Sequence, residues 1–237
     1  MTRQPADGSP SDAASPTYRQ VLGDLRAAYD AKADERDAGS IAAWKAGERA
    51  RFLAELKRTG AARLLEIGSG PGRDGRFFTN EGLAVVCTDP SPAMVERCRA
   101  KGLEAHVMDV LRLDFPPDSF DAAYALNSLL HVPKADMPSA LAAIRRLLHP
   151  GGLFYMGVYG GVDAEGVYES DRYHPQRFFS RHTDATMADL VARFFEVACF
   201  RRIELGAPGR DHFQSFILRK ETLRDDKPIR RSEDRNA

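Results

Sequence analysis

Cysteine is scarce: three occur in 237 residues, Cys87, Cys98 and Cys199, and no two form a C-x-x-C pair. That spacing excludes a disulfide framework and a zinc signature. An excess of charge is also missing, because Lys+Arg and Asp+Glu both number 34. Nucleic-acid binders usually carry a basic surplus, so no nucleic-acid partner is expected. No run approaches the roughly 18 apolar residues of a membrane span, which argues against a membrane partner. The opening residues, MTRQPADGSPSDAASP, lack the apolar core of a signal peptide, and the expected location is cytoplasmic. No internal repeat is present, and the histidines have no metal-ligand spacing, so no metal is expected. The length suits one α/β domain with ragged ends.

What is present centres on Arg63 to Gly75, RLLEIGSGPGRDG. The short apolar run Leu64-Leu65-Glu66-Ile67 reads as a parallel strand buried on both faces. Glycines at alternate positions follow (Gly68, Gly70, Gly72), and an amphipathic helix opens near Arg73. A strand, a glycine turn and a helix N-terminus open a nucleotide-type site in a doubly wound sheet. The dinucleotide pattern G-x-G-x-x-G, begun where the strand ends, needs glycine at position 73, where Arg73 stands. A match at Gly70, Gly72 and Gly75 starts two residues too late. What fits the register is E-x-G-x-G-x-G, with Glu66 in the strand.

The rest of the chain repeats strand and helix. Residues 1–17 read as a disordered tail, rich in Pro, Ser, Ala and Gly. Tyr18 to Ala31 and Ile41 to Arg58 have helical periodicity, separated by a polar break, DERDAGS, with Gly60 as the C-cap. Leu83 to Thr88 reads as strand two, Leu103 to Met108 as strand three, Ala122 to Leu126 as strand four and Leu153 to Val158 as strand five. Asp89, twenty-one positions after Gly68, lies at the tip of strand two. A carboxylate there can take both ribose hydroxyls of an adenosine, or cap the helix from Pro92 to Lys101. Residues 160–183 read as a long loop of polar and aromatic side chains. Glu196 to Glu204 and His212 to Arg219 read as strands six and seven, and residues 220–237 as a charged, solvated tail.

Together with that first motif, three further stretches resemble the class I S-adenosylmethionine (SAM) dependent methyltransferases. They are Asp109-Val110 after strand three, the L-x-F-x-D-x-S-F-D-like stretch Leu113 to Asp121, and L-x-P-G-G from Leu148 to Gly152. The resemblance covers about residues 60 to 219. It implies a seven-stranded Rossmann-like α/β sheet, doubly wound, whose last strand runs antiparallel between strands five and six. It also implies a domain over 18–219, an N-terminal helical lid over 18–59 and a substrate loop over 160–183. Its cofactor, SAM, leaves as S-adenosylhomocysteine. Cofactor contacts are then expected from Glu66, Gly68, Ser69, Gly70, Gly72 and Arg73, from Asp89, Pro90 and Met94, and from Asp109, Val110, Ala125 and Asn127. Asp109 is suited to the adenine amino group, since a carboxylate accepts what that group donates.

The implied reaction is in-line transfer of a methyl group to a small-molecule acceptor in a dry pocket. RNA or protein methylation, a SAM-using lyase or cyclase, and a SAM-binding module remain as alternatives, because fold does not fix function. A hydroxyl or protonated amine acceptor needs a base, and His131, after strand four, is the candidate. Local hydrogen bonding is the competing account of His131, and a carboxylate acceptor needs no base. Tyr18 and Tyr29 are candidates on the lid. Tyr168, Asp171, Arg172, Tyr173, His174 and Arg177 are candidates on the long loop, and His212 on strand seven. Arg177 in particular is suited to clamp an anionic group. The expected assembly is a monomer or homodimer.

Overall fold

The computed structural model describes residues 17–168, 170–205 and 212–222. The tails therefore fall almost wholly outside the described residues, as do Glu169 and 206–211. Thr17 and residues 220–222 are the exceptions, and Lys220 corrects the expected solvated extension. Its backbone pairs with Gly151 and Gly152, and its ammonium donates to Asp118 and to the Leu148 carbonyl.

Seven strands form one sheet: β1 (Arg63–Ile67), β2 (Ala84–Asp89), β3 (Glu104–Val107), β4 (Phe120–Leu126), β5 (Leu148–Gly160), β8 (Glu196–Glu204) and β9 (His212–Arg219). Their order is β3-β2-β1-β4-β5-β9-β8, with β9 antiparallel to both neighbours and the other pairs parallel. The remaining strands, β6 (Ala164–Val167) and β7 (Phe178–Arg181), form a separate antiparallel ribbon. The helices are α1 (Tyr18–Ala31), α2 (Ala33–Ala38), α3 (Ala43–Thr59), α4 (Arg73–Asn80), α5 (Pro92–Ala100), α6 (Met137–Leu147) and α7 (Asp184–Ala192).

Alternation along β1 distributes the core. Leu65 and Ile67 face one apolar cluster, built with Leu141 and Ile144 of α6 and Val191 of α7. Leu64 faces the other, built with Phe52 and Leu56 of α3, Phe78 of α4 and Val95 of α5. Both clusters are closed off from water, which is why the parallel strands read as unbroken apolar runs. Burying a side chain such as Phe52 contributes on the order of 2–3 kcal/mol.

Three departures from the sequence reading bear on the site. The polar break DERDAGS mostly forms α2, held by Lys101 to Asp37 at 2.6 Å and by Arg97 to Asp34. The expected loop over 160–183 contains the β6–β7 ribbon. Finally, β5 starts at Leu148, five residues earlier than expected, and absorbs the His149-Pro150-Gly151-Gly152 turn through a bulge opposite Phe120 and Ala122.

Candidate functional site

The glycine turn is dictated by packing as well as by dihedrals. Gly68, Gly70 and Gly72 all have left-handed φ, at 69°, 54° and 81°. A Cβ on Gly68 would lie 2.3 Å from the Ser128 Cβ, and one on Gly72 only 2.8 Å from Leu103. Above Gly70 the nearest atom is Arg36 Nη2, 3.8 Å from where a Cβ would be. The loop is thus tight below and open above, as a cradle for a ligand must be.

Two adjoining cavities lie over this loop. The first is walled by Gly68, Gly70, Asp89, Pro90, Val110 and Asn127, with Tyr18 and Tyr29 of α1 above and His131 beside. The second takes in Glu66, Ser69 and Arg73. Three expected cofactor residues stand behind these walls: Gly72 caps α4, Met94 is wholly buried in α5 and Ala125 is buried within β4. Asp109 is half-exposed between the lining residues Met108 and Val110, with one oxygen turned to the Leu111 N–H at 3.0 Å.

Asp89 is buried, with its oxygens accepting from the Gly70 and Ser91 N–H groups at 2.8 and 2.9 Å. Burial pushes its pKa up to about 6 despite these bonds. It does not cap α5; Ser91 does, accepting from the Met94 N–H at 3.1 Å. Glu66 is also buried and points away from the α6 face. Burial, with Asp74 and Cys98 nearby, holds its carboxyl well above the usual carboxylate range.

His131 ends a single 3-10 turn, Leu129–His131, after β4. Its Nδ1 lies 2.7 Å from the Phe178 carbonyl, which can only accept, so Nδ1 carries the proton. Nε2 therefore accepts from the Tyr29 hydroxyl at 2.8 Å. Tyr29 in turn accepts from Arg177 Nη1 at 3.1 Å. Burial, reinforced by Arg177 and Arg36, pushes His131 down to about 3, so the imidazole is neutral. Arg177 forks onto Asp171 with two bonds of 2.8 Å, and its Cζ lies 3.6 Å from the Tyr173 ring centre.

Tyr168, Asp171, Arg172, Tyr173 and Arg177 line one cleft, as expected of the long loop. Two expected acceptor residues lie elsewhere. His174 is exposed and lines none of these cavities. His212 is buried against Asp184 at 2.6 Å, where a histidine and the first residue of α7 satisfy each other.

Sequence reasoning missed Arg36. It lies in α2, lines both cavities, donates to the Tyr173 hydroxyl at 3.1 Å and has Cζ 5.0 Å from the Tyr29 ring centre. Among the described residues it has no carboxylate partner, and its Nε is buried without a hydrogen bond. Asn127 Oδ1 and Ser128 Oγ, on the same cavity, are also buried and unpartnered. Buried polar atoms in a native protein are nearly always satisfied, and three residues that line one cavity carry such orphans, which suits a polar occupant. No sequence signal distinguishes Arg36 from its polar neighbours.

Comparison with known proteins agrees with this geometry. A family model described as a methyltransferase domain matches residues 64–152. The ubiquinone biosynthesis O-methyltransferase of Xanthomonas oryzae pv. oryzae is 33% identical over 110 residues, which are 44% of this chain and 45% of that protein. The sterol 24-C-methyltransferase of Candida albicans is 29% identical over 121 residues, 47% of this chain and 31% of that one. The chain thus spans less than half the length of these curated relatives. A crystal structure of the Burkholderia thailandensis 1,6-didemethyltoxoflavin-N1-methyltransferase, with bound 1,6-didemethyltoxoflavin and S-adenosylhomocysteine, superposes with a TM-score of 0.72. It is 26% identical, covering 90% of this chain and 94% of that one. This strand order around this loop, with a methyltransferase domain matched over residues 64–152, is the arrangement of the class I SAM-dependent methyltransferases, to which the chain is similar.

Proposed function

We propose that this protein transfers the methyl group of SAM to a small-molecule acceptor. The observation that carries the reading is the glycine-floored cavity with three orphaned polar atoms, on Arg36, Asn127 and Ser128. Their chemistry fits an amino-acid-bearing nucleoside. Asp89 offers an acceptor for ribose hydroxyls, and the apolar wall of Met108 and Val110 suits a purine ring. The guanidinium of Arg36, above Gly70 and without a carboxylate partner among the described residues, suits the carboxylate of the methionine part. When bound, SAM supplies a methyl group made electrophilic by its sulfonium. The residues around it need only orient the acceptor and exclude water, which in well-oriented reactions lowers the barrier by about 7–11 kcal/mol.

His131 enters this reading as a positioning residue, in place of the base that its location in the sequence suggested. Both ring nitrogens are committed, and a neutral, buried imidazole with so low a pKa binds a proton poorly near pH 7. Its role is to hold the Tyr29 hydroxyl at the boundary between the cofactor cavity and the cleft beyond. The relatives support a small acceptor by their names, which give a sterol, a ubiquinone precursor pathway and a toxoflavin precursor.

Titration calorimetry tests the cofactor assignment. S-adenosylhomocysteine is expected to bind with micromolar affinity and NAD to give no signal. NAD binding tighter than S-adenosylhomocysteine would overturn the assignment.

A further inference from the structure

Beyond the Tyr29–His131 pair lies a cleft walled by Tyr159 of β5, by β7 and by the segment from Tyr168 to Arg177. The proposed function leaves its chemistry unused. Four aromatic side chains face it: Tyr159, Tyr168, Tyr173 and Phe179. Arg177 runs among them, 3.6 Å from the Tyr173 ring centre and 5.1 Å from that of Phe179. The cleft adjoins the cofactor cavity at two points. Phe179 packs on His131 with ring centres 4.8 Å apart, and Tyr159 lies against the Asn127 side chain.

Two properties of this cleft select a ligand. Its walls are flat and polarisable, with a guanidinium stacked on one ring, so a planar ring gains both stacking and cation–π contact. Arg177 uses three of its five N–H groups on Asp171 and Tyr29 and keeps two, one on each terminal nitrogen, for a further acceptor. The second property concerns protons. His131 Nε2 holds the Tyr29 proton, and the Tyr29 oxygen is taken by Arg177. Both Asp171 oxygens are taken by Arg177, which, against its burial, holds that carboxylate down to about 2. Among the described residues where cleft and cavity meet, no side chain has a free lone pair basic enough to remove a proton.

We propose that the acceptor is a planar aromatic molecule that arrives already ionised at the atom to be methylated, and that it stacks in this cleft with its charge against Arg177. Acidic ring hydroxyls, acidic ring N–H groups and aryl carboxylic acids meet that description. This inference rests on the methyl-transfer reading. The acceptor's lone pair forms the bond to the methyl carbon while the carbon–sulfur bond breaks and leaves its electron pair on sulfur. An anion and a sulfonium thereby become a neutral methylated group and a neutral thioether, and no proton remains to be moved.

The test uses the full chain saturated with S-adenosylhomocysteine, whose own binding is measured first. Failure of that first titration removes the cofactor reading; the later steps judge the acceptor class alone. Three probes separate flatness from charge: 2-naphthoate, 2-naphthylmethanol and cyclohexanecarboxylate. The naphthoate is expected to bind about tenfold or more tighter than either of the others. Arg177→Gln should erase its advantage over the alcohol, Arg177→Lys should keep part of it, and both should leave S-adenosylhomocysteine affinity within about twofold. A fourth probe, 7-hydroxycoumarin, absorbs differently as phenol and phenolate, and near its own pKa the protein is expected to increase the phenolate band. The proposal is overturned if naphthoate does not bind at millimolar concentration, if the alcohol or the cyclohexane acid binds as well, or if the coumarin binds as the phenol. Loss of the phenolate band in Glu169→Gln, with Arg177 intact, would place a base at 169 and overturn it too.

Discussion

Asp89 sits at the end of β2 with both oxygens on backbone N–H groups, and its pKa of about 6 gives it two opposite pH dependences. A carboxyl raised above its ordinary value of about 3.9 binds its proton more tightly in the folded protein than in the unfolded chain. Its contribution to stability without ligand is therefore fullest below about pH 4, falls as pH rises to about 6, and levels off above. Ribose hydroxyls donate, so they favour the ionised form and reverse the trend for binding. S-adenosylhomocysteine affinity is expected to strengthen with pH up to about 6 and stay flat above it. Asp89→Asn should flatten that profile and cost about 1–3 kcal/mol of binding near pH 7. Calorimetry across this range decides it, and an Asn variant with the wild-type slope would remove Asp89 from the ligand site. His131 illustrates what the sequence withholds at this scale. Its position after strand four marked it as reactive, yet its partners come from residues 29 and 178, and only the fold brings them together.

Among the elements, α1 ties the upper wall of the cavity to the start of α5. Arg26 donates to the Pro90 carbonyl at 2.7 Å, and Asp30 accepts from Ser91 and from the Ala93 N–H at the start of α5. A carboxylate over the first turn of a helix satisfies exposed N–H groups and complements the dipole, worth about 1 kcal/mol. Asp30→Ala should weaken S-adenosylhomocysteine binding by about three- to tenfold, chiefly through faster release seen in stopped-flow displacement. Unchanged release would mean that α1 does not gate the cavity. The parallel strands were legible because each is a continuous apolar run, and their ends differ from expectation mostly by a residue or two. The exceptions had no such signal. α2 buries only Ala33 and stays put through charges on α5, which no local pattern encodes. The β6–β7 ribbon pairs four residues with four across ten intervening ones, and its register depends on distant bonds such as Gly161 N–H to the His182 carbonyl at 3.0 Å.

Over the whole molecule, the two ligand spaces open through different walls. Tyr18, Leu25 and Tyr29 of α1 form part of the cofactor cavity, and the Tyr18 hydroxyl lies beside the Val110 N–H at one end of it. The aromatic cleft has no residue of α1 among its lining, which comes from β5 and the segment from Tyr168 to Arg181. On the proposed reading the acceptor is expected to come and go with α1 in place, and the cofactor to be held by the α1 wall of its cavity. That asymmetry predicts a sequence of events: cofactor on first, acceptor second, methylated product off third, S-adenosylhomocysteine last. Steady-state inhibition should accordingly find S-adenosylhomocysteine competitive with SAM and not with the acceptor, and the methylated product competitive with neither. A pattern in which either substrate binds first would mean that α1 leaves an open path to the cofactor, and the traffic through this protein would then be random rather than queued.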